Sequence, residues 1–409
     1  MKILLITHLV PYPPKGGVTL RNYNLLKETA AHHEIHMVTF YQRVHHRDEQ
    51  ELKHSIEEVR KLCRRLEVYP VPTDYSRFGW YALLFFNLFS LTPYSVWRYS
   101  SNPMTAVIKN LLEEEKFDLM ELGTIALGNF CRLAPDLPKV LVHHNIESHL
   151  LLRRSKYYRN PLARLYVAWQ GWKLKRYERK ISRRIDYHTT VSQGDKDILS
   201  EYCQDARIEV VPNGVDTEYF RATDDPVTPN SLIYVGGMTW FPNYDAIQYF
   251  LEEIWPLVNA EAPDATFIHI GRQTSDEFEK LSRKNPNLKF LGYVDDIRPE
   301  ITKAAVYIVP LRIGGGTRLK ILDALSMGSA IVSTSIGCEG IEVTDGEDIL
   351  VADDPYTFAQ KIIGLFRQPE KREAMSLKAR QTALEKYSWK IIAPKLENVY
   401  RTAAGRRHQ

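Results

Sequence analysis

Three consecutive glycines stand beside two cations in the second half of the chain, and this stretch carries the clearest chemical signal. It comprises Gly314, Gly315, Gly316, Thr317, Arg318 and Lys320. Glycines place no β-carbon between backbone and ligand, and a helix that follows them presents unpaired N–H groups. Cations at a helix start, where acids would complement the dipole, indicate an anionic ligand. We therefore predict a phosphate-binding loop; a glycine-rich turn before a solvated helix is the alternative.

Asp323 extends this site toward a nucleotide. It follows Lys320 by three positions, so on a helix the two side chains share a face. Its carboxylate can accept hydrogen bonds from the two hydroxyls of a ribose. Two acidic pairs elsewhere, Asp295–Asp296 and Asp353–Asp354, are interpreted as a helix start and a turn rather than as Mg²⁺ ligands. The sequence thus predicts half of a nucleotide site and no metal site.

Alternating strand and helix patterns surround the glycine loop. Predicted strands cover 232–235, 266–270, 288–291 and 306–309, and predicted helices lie near 243–260, 275–284 and 296–303. Strands that alternate with helices predict a doubly wound parallel sheet. Ligands of such sheets bind at the carboxyl ends of the strands, which is where the glycine loop falls.

The first half of the chain opens with the same kind of unit. Ile3–Thr7 and Ile35–Phe40 are predicted strands, and a helix is predicted from Thr19 between them. Such a βαβ unit places Gly16 and Gly17 in the loop at the carboxyl end of the first strand. The sequence KGGVTLR matches neither GxxxxGK[ST] nor GxGxxG, so a plain turn is the alternative.

A polar cluster follows another predicted strand of this half. Val140–His143 is the strand, and His144, Asn145 and Glu147 come directly after it. Since a parallel strand delivers the side chains at its carboxyl end into the ligand cleft, these groups are candidate site residues. Glu147 is a candidate base.

Composition and length predict a packed chain of two domains. The chain has 409 residues, of which 44% are apolar and 25% charged, and it divides most simply into domains of about 200 residues each. The cysteines show no paired spacing, which indicates reduced thiols and a cytoplasmic location; they are Cys63, Cys131, Cys203 and Cys338. The start MKILLITHLV lacks the features of a signal peptide, so no export is expected.

The segment Phe78–Trp97 is aromatic and carries no charge over 20 residues. Polar residues and a proline interrupt it, so its apolar part is too short to span a bilayer as a helix. We predict a buried helix of the first domain. An interfacial hairpin that dips into a membrane or binds a lipid-like acceptor is the alternative.

A strongly basic segment follows at 151–185. It holds twelve Lys or Arg residues against one acid, Glu178, while the whole chain carries only +4. Aromatic residues are interleaved with these cations: Tyr157, Tyr158, Tyr166, Trp169, Trp172 and Tyr177. This composition suits an anionic membrane surface or a phosphorylated acceptor. No recognised nucleic-acid motif accompanies it, and a solvated amphipathic helix without a partner is the alternative.

Several ordered motifs together resemble one family, the retaining, GT-B-fold glycosyltransferases of family 4. The motifs are PNGVDTEYF at 212–220, YVGGM at 234–238, FLGYVDD at 290–296, the long stretch 306–341 around the glycines, DGEDILV at 345–351 and YSW at 387–389. The resemblance covers nearly the whole chain and is strongest from 187 to 400. Ordered motifs at family-like spacing are far more specific than a single glycine loop.

The resemblance implies a fold and a division of labour. It implies an α/β fold of two facing Rossmann-like domains, with the acceptor bound by the N-terminal domain (1–205) and the nucleotide sugar by the C-terminal domain (206–386). A polar passage at 223–231 marks the region in which the domain changes. Residues 387–409 would form a C-terminal helix that crosses back to the first domain.

The resemblance also assigns expected roles to residues. The Gly16–Gly17 loop would approach the donor diphosphate, the loop with Tyr293 and Val294 would surround the base, and Gly237 would belong to the donor site through YVGGM. His144 falls near the reacting sugar, and Asp323 falls where the family has the glutamate that binds ribose. The chain departs from the family pattern at Gly315, where the first family glutamate would contact the sugar, and in MTWFPNYD, which lacks the usual Arg and Lys.

These features predict a metal-independent transfer of a hexose, with retention, from a nucleoside diphosphate sugar to a glycan, lipid-linked or other hydroxyl acceptor. Arg318, Lys320 and Thr317 would stabilise the leaving diphosphate, and His144 would orient the sugar or the acceptor. A UDP- or GDP-sugar is the expected donor, and no cofactor or nucleic-acid partner is expected. The expected setting is the synthesis of cell-surface polysaccharides or glycoconjugates. The protein is expected on the cytoplasmic side of the membrane, in peripheral contact with it. A non-catalytic sugar- or glycan-binding protein and a nucleotide-sugar epimerase are the alternatives.

Overall fold

The computed structural model describes residues 1–14, 16–42, 48–73, 77–156, 158, 160–272, 276–314 and 317–405. The chain forms two compact units. The first contains Met1–Pro212 together with the residues from Ala393 onward, and the second contains Asn213–Ile392. The predicted domain limits after residues 205 and 386 stay a prediction, because compactness does not test which segments fold independently.

The first unit is built on a seven-stranded parallel sheet with the order β3-β2-β1-β4-β5-β6-β7. Its strands are β1 Lys2–Thr7, β2 Glu34–Tyr41, β3 Arg65–Pro70, β4 Leu119–Leu122, β5 Lys139–Val142, β6 Tyr187–Thr190 and β7 Ile208–Val210. The central strands β4, β5 and β6 are buried at every position, as parallel strands covered by helices on both faces must be.

Eight helices and one 3₁₀ helix connect the described strands of this sheet. The α-helices are α1 Gly17–Ala30, α2 Glu49–Arg60, α3 Arg77–Asn87, α4 Tyr94–Arg98, α5 Asn102–Glu114, α6 Glu147–Ser155, α7 Pro161–Ser182 and α8 Gln193–Ser200, and the 3₁₀ helix covers Ile125–Leu133. Helix α7 begins with a proline after the N-cap Asn160, whose side chain accepts from the amides of Leu162 and Ala163. This is a favourable start for a long helix.

The second unit repeats the architecture with a six-stranded parallel sheet in the order β10-β9-β8-β11-β12-β13. Its strands are β8 Thr228–Val235, β9 Thr266–Ile270, β10 Leu288–Phe290, β11 Ala304–Val309, β12 Ile331–Ser333 and β13 Leu350–Val351. Its helices are α9 Phe241–Tyr249, α10 Trp255–Glu261, α11 Asp276–Lys284, α12 Arg298–Lys303, α13 Leu319–Ser326, α14 Pro355–Arg367 and α15 Pro369–Thr382. π-Helical turns at Phe250–Ile254 and Ala383–Tyr387 continue α9 and α15.

The last helix, α16 Trp389–Gly405, is divided between the two units. Its first residues lie in the second unit, and the part from Ala393 lies in the first. Within the first unit, Tyr400 donates its hydroxyl proton to the buried carboxylate of Glu121 on β4. A polar contact and the apolar residues of the helix therefore attach it to this sheet.

The strand orders place two ligand-binding edges. In the first sheet the order reverses between β1 and β4, and in the second between β8 and β11. Loops that leave neighbouring strands in opposite directions open a crevice at such a point, and ligands of doubly wound sheets bind there. The predicted α/β class with two parallel sheets is confirmed, and both glycine loops follow strands at these switch points.

The apolar segment 78–97 does not form a buried helix, so that prediction is wrong. In and after α3, Tyr81, Phe85 and Phe86 are exposed, and Phe89 keeps 80% of its surface accessible. The composition predicts an apolar helix, but it does not tell which face of that helix packs against the rest of the unit. Among the described residues, no helix has the length and apolarity needed to cross a bilayer.

Candidate functional site

The loop after β11 is built around Arg318. Gly314 has a φ of +150°, and a β-carbon at this position would lie 2.3 Å from Nη2 of Arg318. Arg318 is only 4% exposed, and its guanidinium carbon lies 6.0 Å from the ring centroid of Trp240. The positive φ favours glycine at this position, and any larger residue would have to displace the guanidinium. Gly315 and Gly316, two of the predicted phosphate-binding residues, lie outside the described residues.

Thr317 and the start of α13 offer hydrogen-bond donors beside this cation. Oγ1 of Thr317 is buried and has no hydrogen-bond partner among the described residues. Helix α13 begins at Leu319, and within the described residues no side-chain hydrogen bond caps its start. An uncapped helix start beside a hydroxyl that has no partner in the described part of the chain is a favourable environment for an anion.

Lys320 is the second cation, and its position is fixed by the loop after β8. Its Nζ donates to Oη of Tyr234 and to Oδ1 of Asn243, each at 2.8 Å. Tyr234 in turn donates to Oδ1 of Asn243 at 2.7 Å. Part of the Lys320 side chain remains accessible, but the surrounding protein desolvates the ammonium, and this lowers its pKa to about 7, with Arg318 adding to the effect.

Asp323 lies one turn further along α13 and titrates in the same range. Burial raises the pKa of its carboxyl to about 7, while the charge of Lys320 lowers it. The two side chains therefore share a face of α13, as predicted from their spacing. An anion bound beside Lys320 would favour the ammonium form, because opposite charge stabilises the charged state.

Two backbone loops meet directly at Gly236. A β-carbon there would lie 2.6 Å from Nζ of Lys320, and a β-carbon on Gly271 would lie 2.2 Å from the carbonyl oxygen of Gly236. The same oxygen is 2.9 Å from Nε2 of His269. At Gly237 the nearest atom would be at an ordinary 3.8 Å. The close approach in YVGGM therefore lies at Gly236, one residue before the predicted site residue Gly237.

The loop after β10 presents an aromatic ring. Tyr293 is 52% exposed, and the guanidinium of Arg272 lies 4.7 Å from its ring centroid. Gly292 has a φ of +69°, which forms the turn that carries Tyr293 outward. Val294 packs against the core of the unit. An exposed, oriented ring of this kind can stack on a planar base.

The switch point of the first sheet has a different chemistry. Gly16 caps α1 with an ordinary φ of −133°, and its backbone exchanges hydrogen bonds with the hydroxyl of Thr19. Gly17 is the first residue of that helix. In this unit the Gly16 backbone contacts a hydroxyl of its own chain, and the predicted contact of the Gly16–Gly17 loop with a diphosphate stays a prediction.

His144 and Glu147 lie at the carboxyl end of β5 in the first unit. The His144 ring lies 6.3 Å from that of His8, and its Nε2 is buried without a hydrogen-bond partner in the described part of the chain. Burial, then the charge of Arg21, keeps the pKa of His144 well below its usual value. Glu147 accepts from the hydroxyl of Thr124 at 2.7 Å, and burial raises its pKa. Both groups are therefore biased toward their neutral forms.

The structure brings together four of the predicted site residues of the second unit. Thr317, Arg318, Lys320 and Asp323 lie on one loop and helix start. The sequence patterns did not single out Tyr234, Trp240 or Asn243. Tyr234 lies in YVGGM, and the other two lie in MTWFPNYD, the stretch that departs from the family pattern. Their contacts to the cations depend on the crossing of two loops, which spacing along the chain does not reveal. Among the described residues, no group of three His, Cys, Asp or Glu side chains is placed to hold a metal ion.

Two family models match the chain. The model described as Glycosyltransferase Family 4 matches residues 15–219, half of the 409 residues. The model described as Glycosyl transferases group 1 matches residues 229–368. The two matches together include strands of both sheets.

Two curated relatives resemble parts of the chain. The phosphatidyl-myo-inositol mannosyltransferase of Mycobacterium tuberculosis is 26% identical over 211 residues, which are 48% of this chain and 54% of that protein. The UDP-Gal:alpha-D-GlcNAc-diphosphoundecaprenol alpha-1,3-galactosyltransferase of Escherichia coli is 26% identical over 248 residues, 55% of this chain and 60% of that protein. The chain thus spans little more than half the length of these curated relatives.

A solved structure matches nearly the whole chain. The Anabaena protein HepE, crystallised with UDP, superposes with a TM-score of 0.66 at 14% identity, covering 98% of this chain and 100% of that one. At this identity the likeness shows the fold alone.

Proposed function

The chain belongs to glycosyltransferase family 4 and has the GT-B fold, and from this premise we propose that it is a retaining glycosyltransferase. It transfers a hexose from a nucleoside diphosphate sugar to a hydroxyl of a glycan or a lipid-linked acceptor. The observation that carries this proposal is the pair of cations at the switch point of the second sheet. Arg318 lies against the backbone of Gly314, and Lys320 lies against that of Gly236.

The two cations act on the leaving group. When the bond between the sugar and the diphosphate breaks, negative charge grows on the diphosphate oxygens. Arg318 is already buried and Lys320 is already bonded to Tyr234 and Asn243, so little reorganisation accompanies the reaction. Fixed charges aimed at developing charge are a large source of rate enhancement. These protein cations would do the work that a metal ion does in other phosphate-leaving reactions, which supports a metal-independent reaction.

The groups around the cations suit the rest of a nucleotide. The carboxylate of Asp323 would accept the ribose hydroxyls, and the exposed ring of Tyr293 would stack on the base. The oxygen and amide donors at Thr317 and the start of α13 would bind the phosphates. UDP is the nucleotide bound to HepE and the galactosyltransferase relative is named for UDP-Gal, so a UDP-sugar is the first donor to test and a GDP-sugar the second.

The first unit would bind the acceptor. His144 is held neutral by burial, so its imidazole can accept a hydrogen bond from an acceptor hydroxyl or donate one to the sugar without carrying charge. The two relatives are named for acceptors that are lipids, an inositol phospholipid and a lipid-linked diphosphate sugar. We therefore place a lipid-linked acceptor first and a soluble glycan second, in cell-surface polysaccharide or glycoconjugate synthesis on the cytoplasmic side of the membrane.

A ligand screen followed by a product assay tests the proposal. A nucleotide at about 100 times its Kd should stabilise the fold by about 2.7 kcal/mol, so the correct base appears as a shift in melting temperature. The matching nucleotide sugar, incubated with lipid-linked acceptors, should release nucleotide and give a product whose anomeric configuration, read by NMR, equals that of the donor. An inverted product would contradict retention.

The same experiment separates the alternatives. Stabilisation by a nucleotide sugar without release of nucleotide, with every acceptor, would support a non-catalytic binding protein. A new nucleotide-sugar isomer formed without an acceptor would support an epimerase.

A further inference from the structure

An exposed apolar surface lies on the first unit, and none of its residues is a predicted site residue. It is formed by α3 and the residues just after it. The exposed members are Trp80, Tyr81, Phe85, Phe86, Leu88, Phe89 and Leu91. Several of the aromatic rings contact one another; for example, the Phe85 ring centroid lies 5.8 Å from that of Phe89 and 5.5 Å from that of Phe86. Contiguous apolar surface of this kind on a folded chain marks an interaction site.

Helix α7 continues this surface with an ordered stripe. At helical spacing along one face stand Leu162, Leu165, Trp169 and Trp172, followed by Arg176, Arg179 and Arg183. Leu162 is 76% exposed and Leu165 is 69% exposed, while the opposite face is buried against the unit. The stripe is therefore apolar in the first half of α7 and cationic in the second.

Buried hydrogen bonds attach α3 to α7. Asn87, at the end of α3, is fully buried, and its Oδ1 accepts from Nε2 of Gln170 at 3.0 Å and from Nζ of Lys173 at 2.6 Å. Nζ of Lys173 also lies 5.8 Å from the ring centroid of Trp169. Burial lowers the pKa of Lys173 to about 8. The apolar residues of α3 are thus anchored next to the apolar half of the stripe.

We propose that α3 and the exposed stripe of α7 form a docking surface for an anionic lipid bilayer. Aromatic and leucine side chains would enter the boundary between headgroups and acyl chains, and the arginines of the second half of α7 would contact anionic headgroups. The inference is independent of the donor chemistry of the second unit.

Charge favours a bilayer over a second copy of the chain. The segment 151–185 contains one acid, Glu178, and this carboxylate is buried and accepts from Ser148 and Tyr202. A symmetric contact between two copies would bring two such cationic surfaces together without acids of the segment to pair them. An anionic membrane supplies the complementary charge for the cationic second half of the stripe, and its acyl chains suit the apolar first half.

Flotation of the full chain with phosphatidylcholine vesicles, with and without phosphatidylglycerol, tests this surface. We expect binding only with phosphatidylglycerol, weakened at least tenfold when salt rises from about 0.05 to about 0.5 M, because the Debye length then falls to a few Å. The paired substitutions Phe85→Ser/Phe89→Ser and Leu162→Ser/Leu165→Ser should each lower partitioning at least tenfold, and Arg176→Gln/Arg179→Gln about tenfold.

Matched controls come from the second unit. Tyr356 and Leu377 are 65% and 70% exposed, so Tyr356→Ser/Leu377→Ser removes comparable apolar surface, and Lys371→Gln/Lys378→Gln removes two cations. Neither pair should change partitioning. Unchanged circular dichroism shows that each variant is folded.

Three results would overturn the proposal: equal flotation without phosphatidylglycerol, equal flotation of the α3 and α7 variants, or a dimer in solution that these variants dissociate while vesicles bind none of the forms. Failure of the glycosyltransferase proposal looks different. It would appear as the absence of nucleotide-sugar stabilisation and nucleotide release in lipid-free buffer, whether or not the chain floats with vesicles.

Discussion

The switch points of the two sheets have the same topology and carry different side-chain chemistry. In the second unit, Arg318 and Lys320 bring two cationic side chains to the carboxyl edge, and glycines clear the backbone around them. In the first unit, the corresponding edge holds His144, whose pKa is lowered, and Glu147, whose pKa is raised, so both tend to be neutral. The strand order predicts where a ligand binds, and the side chains predict what kind of ligand it is. Under the proposed function, a diphosphate would bind at the second edge and a hydroxyl compound at the first.

Loss of Arg318 should have the largest effect. Arg318→Met removes a buried cation from the leaving group, and we expect the rate of transfer to fall about 10²–10³-fold. Arg312→Met is the control from the same loop, because Arg312 pairs with Asp245 at 2.9 Å on the surface and should change the rate little. Initial rates of nucleotide release measure both. Equal losses in the two variants would mean that the loop tolerates no change of charge and that Arg318 has no special role.

His144 should affect transfer without affecting donor binding. His144→Ala leaves the second unit intact, so the nucleotide should still raise the melting temperature as in the wild type. Transfer should fall about 10–100-fold, because the loss of an orienting contact misplaces the acceptor or the sugar. His32→Ala, which alters an exposed histidine paired with Glu397, is the control. A lost nucleotide shift in His144→Ala would contradict the division of labour between the two edges.

Donor affinity should pass through a maximum near pH 7. The free protein has Lys320 and Asp323 with pKa values of about 7. The diphosphate selects protonated Lys320, so affinity falls above pH 7, and ribose selects ionised Asp323, so affinity falls below it. Asp323→Asn should leave only the decline above pH 7, and Lys320→Met only the decline below it, each up to about tenfold per pH unit.

Calorimetric titration with a nucleotide sugar measures these curves. Its diphosphate is a diester without a proton near neutrality, whereas a nucleoside diphosphate titrates at about pH 6. A flat wild-type curve from pH 6 to 8 would mean that neither group responds to the ligand.

The smallest effect is expected at Gly236. A β-carbon there meets the ammonium of Lys320 at 2.6 Å, so Gly236→Ala should destabilise the fold by about 1–3 kcal/mol and weaken donor binding. Gly364 lies in α14 with nothing near its position, so Gly364→Ala should stabilise the fold by about 0.5–1 kcal/mol. Urea denaturation measures both. If Gly236→Ala left the free energy of unfolding unchanged, the two loops would be able to move apart without loss of stability.

The sequence predicts the scaffold and half of the candidate donor site. Strands and helices follow from local periodicity, which is why β11, the loop and α13 appear where the pattern placed them. The cations are visible because Arg318 and Lys320 stand where a helix start normally carries acids. The hydrogen-bond partners of Lys320 could not be predicted, because Tyr234 and Asn243 are more than 70 residues away along the chain. The fold of the sheet brings them next to Lys320.

The exposure of the residues around α3 could not be predicted from the sequence either. Phe85 and Phe89 have the composition of a core helix, and local pattern alone favours burial. Their exposure depends on Asn87, whose hydrogen bonds to Gln170 and Lys173 fix which side of α3 faces α7. A contact between residues that far apart cannot be inferred from the order of apolar residues along one helix.

The most direct test of the account compares the binding of UDP and uridine, or of GDP and guanosine if that base is the correct one, to the wild type and to Arg318→Met by calorimetry. If the second switch point holds the diphosphate, the wild type should bind the diphosphate far more tightly than the nucleoside, and Arg318→Met should lose about 100-fold of that difference while its affinity for the nucleoside is unchanged. Equal affinity of the wild type for nucleotide and nucleoside, or an undiminished difference in Arg318→Met, would contradict it.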